Sequence, residues 1–277
     1  MDKLLQAIRD KRPAIGFMDL DTSPEHVEIM GHVGFDFGCL DQMFTGIDWN
    51  VAAHQIRAAN QYGMSTIIRI QGYPWLTEPV DPRLPVDTAR AFGIGASAVC
   101  MSVSSAKEVE KCVAVQQEGW HRRPYIMPFR KETWRQQADA LGDQGIIIPL
   151  LESHGTVEGL EEIFSVKDLK CAFLGWTDLT RMLGHPFEYE HPEVLKFVDR
   201  AAGLAHKHGV ALMANAGYEY RSINDVAARL HRMYERGIQI LCLQPATVMF
   251  QFWCQELLDK VSGKVPLALS PRASGTA

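Results

Sequence analysis

Several arrangements are missing from this sequence, and each absence removes a class of function. The six cysteines, Cys39, Cys100, Cys112, Cys171, Cys242 and Cys254, form no CxxC pair, which argues against a thiolate zinc ribbon or a dithiol redox site. The ten histidines make no HxH or HExxH run, so a histidine-rich zinc centre is not expected. With 28 basic against 33 acidic residues the net charge is -5, and no basic cluster is long enough for a nucleic-acid tract. No apolar run is long enough to span a bilayer. The opening MDKLLQAIRDKRP is amphipathic and lacks an apolar export core, so a cytoplasmic protein with reduced thiols is expected. No lysine closes an apolar run, and only Lys131, in a long connection, could approach a site. A Schiff-base mechanism, which needs a desolvated lysine in the pocket, is therefore disfavoured.

What the sequence does contain is a regular alternation over its 277 residues. Apolar, β-branched runs recur at 13–19, 35–41, 65–70, 96–103, 145–152, 171–178, 210–217 and 238–245. Each is short and nearly continuous, as for parallel strands covered on both faces. Between them lie helix-like stretches such as SPEHVEIMGHVG and HPEVLKFVDRAAGLAHKHG, several opening on Ser, Asp or Pro and ending on Gly. Eight strands alternating with helices predict an α/β fold, a closed (β/α)8 TIM barrel, as one domain over residues 1–262 with a C-terminal helix. Residues 263–277 read as a flexible tail. A doubly wound open sheet is the rival, but it would need a glycine-rich loop where this chain has FMDLDTSPE. One long connection, between the fourth and fifth strands, is rich in Arg, Trp and Tyr and suits a loop over an active-site mouth or a subunit contact.

In such a barrel the active site forms at the C-terminal strand ends. Those ends carry Asp19, Asp41, Arg69, Ser102, Glu152, Asp178, Asn215 and Gln244. Glu152 and Asp178 are expected to close consecutive strands. Two carboxylates brought together in an apolar wall repel, unless one keeps a proton or a cation sits between them. Mg²⁺ or Mn²⁺ needs only one or two protein carboxylates. The plainer alternative is that each acid caps a loop or pairs with an arginine. Arg69 could fork onto a substrate carboxylate or stabilise an enolate oxygen, or it could form a salt bridge to Asp41 or Glu152. Phe44, Tyr73, Trp75 and Trp176 near the mouth hint at an apolar acceptor.

The run LLESHGTVEGLEEIFSV, followed by LKCAFLGWTDLTRMLGHPFEYEHPEV, resembles the HpcH/HpaI aldolase family of metal-dependent pyruvate aldolases. The likeness includes the acid Glu152, the GxxDL stretch Gly175–Leu179, Gly184 and His191–Val194. GFDFGCLDQ and TIIRI are similar to the family's second and third strands, and the ordered likeness covers about residues 13–260. The resemblance implies a divalent metal, Mg²⁺ or Mn²⁺, on Glu152 and Asp178. It implies Arg69 as the group that stabilises the pyruvate enolate oxygen. Gly175, Trp176 and Thr177, with the amides around Asp178, would bind the substrate, a small-molecule 2-oxo acid. The implied reaction is aldol cleavage of a 4-hydroxy-2-oxo acid to pyruvate and an aldehyde. The implied assembly is a homo-oligomer, a hexamer or trimer of dimers with exchanged C-terminal helices.

The chain departs from the family pattern at its acid/base. Where the family has Asp-Gly-Glu-His, this chain reads Asp41-Gln42-Met43-Phe44, and Phe44 cannot move protons. Trp176-Thr177 likewise replaces a Pro-Ala pair. Losing a general base typically costs about 10²–10⁴-fold. Asp41, His154, His121 or a bound water could take over the role. Decarboxylation of an oxaloacetate-like acid would avoid it altogether. The alternative reading is a catalytically altered barrel that binds a ligand or serves an assembly. Citrate-lyase-like cleavage of an acyl-CoA would use the same acids, but no basic surface for the coenzyme is evident.

Overall fold

A computed structural model describes residues 2–19, 21–70, 83–117, 145–217, 222–243 and 245–262. Eight parallel strands close into a barrel in chain order. They are β1 (Ala14–Asp19), β2 (Phe37–Asp41), β3 (Ser65–Arg69), β4 (Ala98–Ser102), β5 (Ile146–Leu151), β6 (Cys171–Leu174), β7 (Ala211–Asn215) and β8 (Ile240–Leu243). Closure is made by β1 against β8, with Ala14 opposite Ile240. Among the described residues the helices are α1 (Lys3–Asp10), α2 (Pro24–Val33), α3 (Trp49–Gln61), α4 (Leu84–Gly93), α5 (Ala106–Gln117), α6 (His154–Glu158), α7 (Leu160–Phe164), α8 (Trp176–Met182), α9 (Pro192–His208), α10 (Ile223–Glu235) and α11 (Ala246–Ser262). The (β/α)8 TIM barrel read from the apolar runs is the fold observed.

Strand alternation divides the apolar side chains into two cores. Phe37, Cys39, Ile67, Cys100, Ile148 and Phe173 belong to the group that fills the barrel. Their neighbours Leu40, Ile68, Val99, Ile147 and Leu174 pack outward against the helices. Four of the cysteines, Cys39, Cys100, Cys171 and Cys242, are in no disulfide and lie buried in the inner core, where a thiol serves as a small hydrophobe. Helix α1 closes the opposite end of the barrel from the site. Leu4 and Leu5 enter the inner core, and the Leu4 amide donates to Ser65 Oγ at 2.9 Å.

The inner parity determines which residues crown the barrel. On β2 it runs Phe37, Cys39, Asp41; on β3 it ends at Arg69; on β4 at Ser102. Continued one step beyond β5 and β6 it reaches Glu152 and Gly175. The polar layer at the mouth is thus the same row of positions that lower down holds Ile, Cys and Phe.

One expectation is corrected. The run 171–178 was read as a single strand ending at Asp178, but β6 stops at Leu174 and the chain turns at Gly175 into α8. Three apolar-looking residues cannot distinguish a strand end from a first helical turn. Asp178 sits in the first turn of α8 instead, where the helix dipole favours an acid.

Strand packing is tight at the β1–β2 contact. A Cβ added to Gly16 would lie 2.3 Å from the Phe37 carbonyl oxygen, a backbone atom that cannot rotate away. Gly16→Ala is expected to destabilise the fold by about 1–3 kcal/mol, the range for overpacking, seen as a lower urea midpoint at unchanged slope.

Candidate active site

The mouth is built around Glu152, which is buried to 5% exposure directly after β5. Its Oε1 accepts a hydrogen bond from Ser102 Oγ at 3.0 Å, from the neighbouring strand. Its Oε2 lies where a side chain at position 175 would stand, 2.5 Å from an ideal Cβ there. Gly175 is therefore glycine for room: any side chain would evict the carboxyl group. Burial pushes the Glu152 pKa up to about 7, and the charge of Asp178 adds to the rise. Ser102, Arg69 and Arg181 offset part of it. Glu152 and Asp178 are close enough to repel, although they leave their strands differently from the expectation.

Asp178 is a third exposed, and its Oδ1 meets Arg181 one helical turn on at 3.5 Å. That distance and exposure make a loose, solvated pair. Beside it, Thr177 Oγ1 lies 3.3 Å from the Tyr189 hydroxyl. The amides of Trp176, Thr177 and Asp178 open α8, and a helix gives its first-turn amides no intrahelical acceptor.

Across the mouth, Asp41 and Arg69 face one another from paired positions of β2 and β3. Arg69 Nε donates to Asp41 Oδ1 at 2.9 Å and Nη2 to Oδ2 at 2.5 Å, a two-pronged bridge. Asp41 Oδ1 also accepts the Met43 amide at 2.8 Å. Burial opposes the guanidinium charge, but the hydrogen bonds and charge of Asp41 outweigh it, and the Arg69 pKa is raised. The Phe44 ring, 62% exposed, lies 5.2 Å below the Arg69 guanidinium carbon. Arg69 is thus held in the plane by Asp41 and on one face by Phe44, leaving Nη1 outside the bridge.

The remaining sequence candidates fall elsewhere. His154 is exposed at the first position of α6, two residues after Glu152. The Trp176 indole is 7% exposed and packs outward in the barrel–helix core. It lines a cavity of about 820 Å³ with Tyr189, Asn215, Arg229, Arg232 and Met233, and its Nε1 has no hydrogen-bond partner among the described residues. That cavity runs between α9 and α10 and does not include Glu152 or Asp178. Tyr73, Trp75, His121, Lys131 and Gln244, and the side chain of Asp19, lie outside the described residues. Sequence reasoning gave Ser102 no role and overlooked Arg181 and Tyr189. Ser102 carried a signal, since it stands at the inner parity of β4. Tyr189 carried none.

Residues 48–240 match the family model described as HpcH/HpaI aldolase/citrate lyase. The chain belongs to this family. As an HpcH/HpaI protein it is a carbon–carbon lyase of the aldolase type. A relative from Shigella boydii, a 5-keto-4-deoxy-D-glucarate aldolase, is 26% identical over 215 residues, 75% of this chain and 79% of that one. A 2-dehydro-3,6-dideoxy-6-sulfogluconate aldolase from Pseudomonas putida is 24% identical over 192 residues, 68% of this chain and 71% of that one. The HpcH/HpaI aldolase structure from Desulfitobacterium hafniense shares the fold, with a TM-score of 0.79 at 20% identity, covering 97% and 99% of the two chains.

The raised Glu152 pKa has a signed consequence. In chelator-treated protein the folded state keeps a proton that the unfolded carboxyl, near 4.5, releases. The folded state therefore binds more protons across this window, and stability falls as pH rises from about 4.5 through about 7. Glu152→Gln should match the wild type near pH 4.5 and exceed it by about 3 kcal/mol at pH 8, at 1.36 kcal/mol per pKa unit. Urea unfolding across that range measures the gap.

Proposed function

We propose that this HpcH/HpaI lyase is divalent-metal-dependent and acts on a 2-oxo acid through a pyruvate enolate. The supporting observation is the buried Glu152 carboxyl beside the Asp178 charge, with the Arg69 guanidinium close enough to act on the same group. A buried carboxyl raised to about 7 by burial, with the charge of a second acid adding to the rise, forms with that acid a donor set that a hard cation satisfies. The residues present therefore fit Mg²⁺ or Mn²⁺, with Glu152 and Asp178 as its protein ligands. Such an ion would polarise the substrate's 2-oxo carbonyl.

The chain's own groups supply the rest. Arg69 presents Nη1 to the oxygen on which negative charge grows as the carbon–carbon bond breaks. Because Asp41 and Phe44 already hold the guanidinium, little reorganisation accompanies that charge development. The first-turn amides of Trp176, Thr177 and Asp178 receive the substrate carboxylate, and Gly175 leaves them approachable. Ser102 keeps Glu152 turned toward the mouth. Asp41 has both oxygens engaged, so proton transfer falls to a water or to His154 rather than to a free Asp41. Decarboxylation of an oxaloacetate-like acid needs no hydroxyl deprotonation and is compatible with Phe44. Aldol cleavage requires it.

The assembly belongs to the same reading. Helix α11 exposes Phe250, Trp253, Leu257 and Leu258, with Phe250 and Trp253 stacked at 6.4 Å. A second copy of the chain would cover that face, as expected of a homo-oligomer with exchanged C-terminal helices.

The deciding assay supplies Mg²⁺ or Mn²⁺ with a series of 4-hydroxy-2-oxo acids and with oxaloacetate, and follows pyruvate through coupled lactate dehydrogenase. Turnover with at least one is expected. Arg69→Lys should lower kcat/KM by about 10²–10³-fold, as for loss of one donor to a developing oxyanion. Glu152→Ala should abolish metal-dependent turnover. No turnover by metal-loaded protein on any of these acids would defeat the reading. Phe44→His should raise aldol cleavage relative to decarboxylation and introduce an ionisation near neutral pH into the kcat profile.

A further inference from the structure

We propose a second metal site, outside the catalytic mouth, in which His185, His191 and Glu193 hold a zinc-type divalent cation. The three side chains each offer one ligand atom, and these atoms all lie within 4.8 Å of one another. The loop between α8 and α9 brings them together. Gly184, with φ of 80°, and Phe187, with φ of 65°, turn the chain back through left-handed conformations. The amides of His185 and Phe187 both bond to Thr180, at its carbonyl and hydroxyl oxygens. His191 then caps α9, with Pro192 opening the helix and Glu193 in its first turn. The Glu193 side chain returns across the loop, so that Oε2 lies 3.0 Å from His185 Nε2.

The arrangement is more specific than a chance surface pair. The imidazoles of His185 and His191 stack at 3.4 Å between centroids with 19° between planes. Stacking brings the two rings close enough for one nitrogen of each to share an ion. His185 Nε2 and Glu193 Oε2 already face one another at 3.0 Å, so two of the three donors stand side by side. A cation takes the place of the proton shared by Nε2 and Oε2. His191 completes the set by turning about its side-chain bonds. Its present bond, from the Glu193 amide to Nδ1, is 3.3 Å long and is a minor loss.

The donor set names the ion class. Two imidazole nitrogens and one carboxylate oxygen, with a position left for water, suit a borderline cation such as Zn²⁺. Glu152 and Asp178 offer only oxygen and suit a hard one. The two sites therefore select different metals. The second site also bears on the first through Tyr189, which lies on the same loop and meets Thr177 in the turn that carries Asp178. A cation on His185, His191 and Glu193 pins that loop to α9.

Full-length protein carrying Glu152→Gln and Asp178→Asn isolates the site from the catalytic acids. After chelator treatment it is titrated with Zn²⁺ in a calorimeter and, separately, with Co²⁺ followed by visible absorption. A single equivalent of Zn²⁺ and the visible band of tetrahedral Co²⁺ are expected. Adding His185→Gln should remove both, and Glu193→Gln should weaken Zn²⁺ at least about tenfold, the lower end for loss of a group that supports a metal site. In protein retaining both acids, His185→Gln should lower Zn²⁺ stoichiometry by one equivalent, which serves as the control should the double-acid variant fold poorly. Zn²⁺ titrations unchanged by His185→Gln in both backgrounds would overturn the proposal. Activity is not the readout, so either result leaves the catalytic reading to its own assay.

Discussion

The mouth of the barrel depends on a carboxyl group held where its charge is unfavourable. Glu152 is almost fully buried and stands beside a second acid. A glutamine would fit the same space at lower electrostatic cost, so the fold gains no stability from the charge itself. The surroundings are shaped around that group. Ser102 holds one oxygen, position 175 carries no side chain so that the other has room, and Arg69 and Arg181 partly offset the repulsion. A constraint kept at the expense of stability is the pattern expected of a functional site.

The two arginines near that carboxyl do different work because their surroundings differ. Arg69 is only partly exposed, bridged through two nitrogens to Asp41 and stacked on Phe44. Its direction is set before any substrate arrives. Arg181 is 57% exposed and reaches Asp178 only at 3.5 Å. A surface pair of that kind is worth little and readily gives way to a stronger partner. Asp178 is thus available to a cation in a way that Asp41 is not. The plain alternative, in which an acid of the mouth is locked to an arginine, describes Asp41 better than it describes Glu152 or Asp178.

The barrel was legible because each strand is buried on both faces and so reads as an unbroken apolar run. The polar crown was legible for the same reason: Asp41, Arg69, Ser102 and Glu152 each interrupt such a run at its end. Legibility failed where the chain changes element without changing character. Cys171 to Asp178 is apolar throughout its first six residues, so the shift from strand to helix at Gly175 left no mark in composition. Trp176 shows the same limit. Its place in the GxxDL stretch suggested a wall of the reaction pocket, but a helical turn rotates the indole outward into the barrel–helix core. The link from Thr177 to Tyr189, and the approach of His185 to Glu193, arise from a loop whose path depends on left-handed turns at Gly184 and Phe187. A non-glycine residue such as Phe187 gives no sequence signal for that conformation.

Phe44 joins these observations to the choice of reaction. A histidine at that position would stand near Arg69 and could exchange protons with a substrate hydroxyl. A phenyl ring cannot, yet it still presents an electron-rich face to the guanidinium 5.2 Å away. The phenyl ring therefore offers no proton transfer while still holding the orientation of Arg69. Under the proposed enolate mechanism, cleavage with no hydroxyl proton to remove would keep its principal stabilising contacts with Phe44 in place. Aldol cleavage would keep them as well but would draw its proton transfer from a water or from His154, because both oxygens of Asp41 are engaged. The asymmetry follows from which atoms are already occupied in the mouth, and within the proposed mechanism it weighs toward cleavage in which the departing group needs no help with a proton.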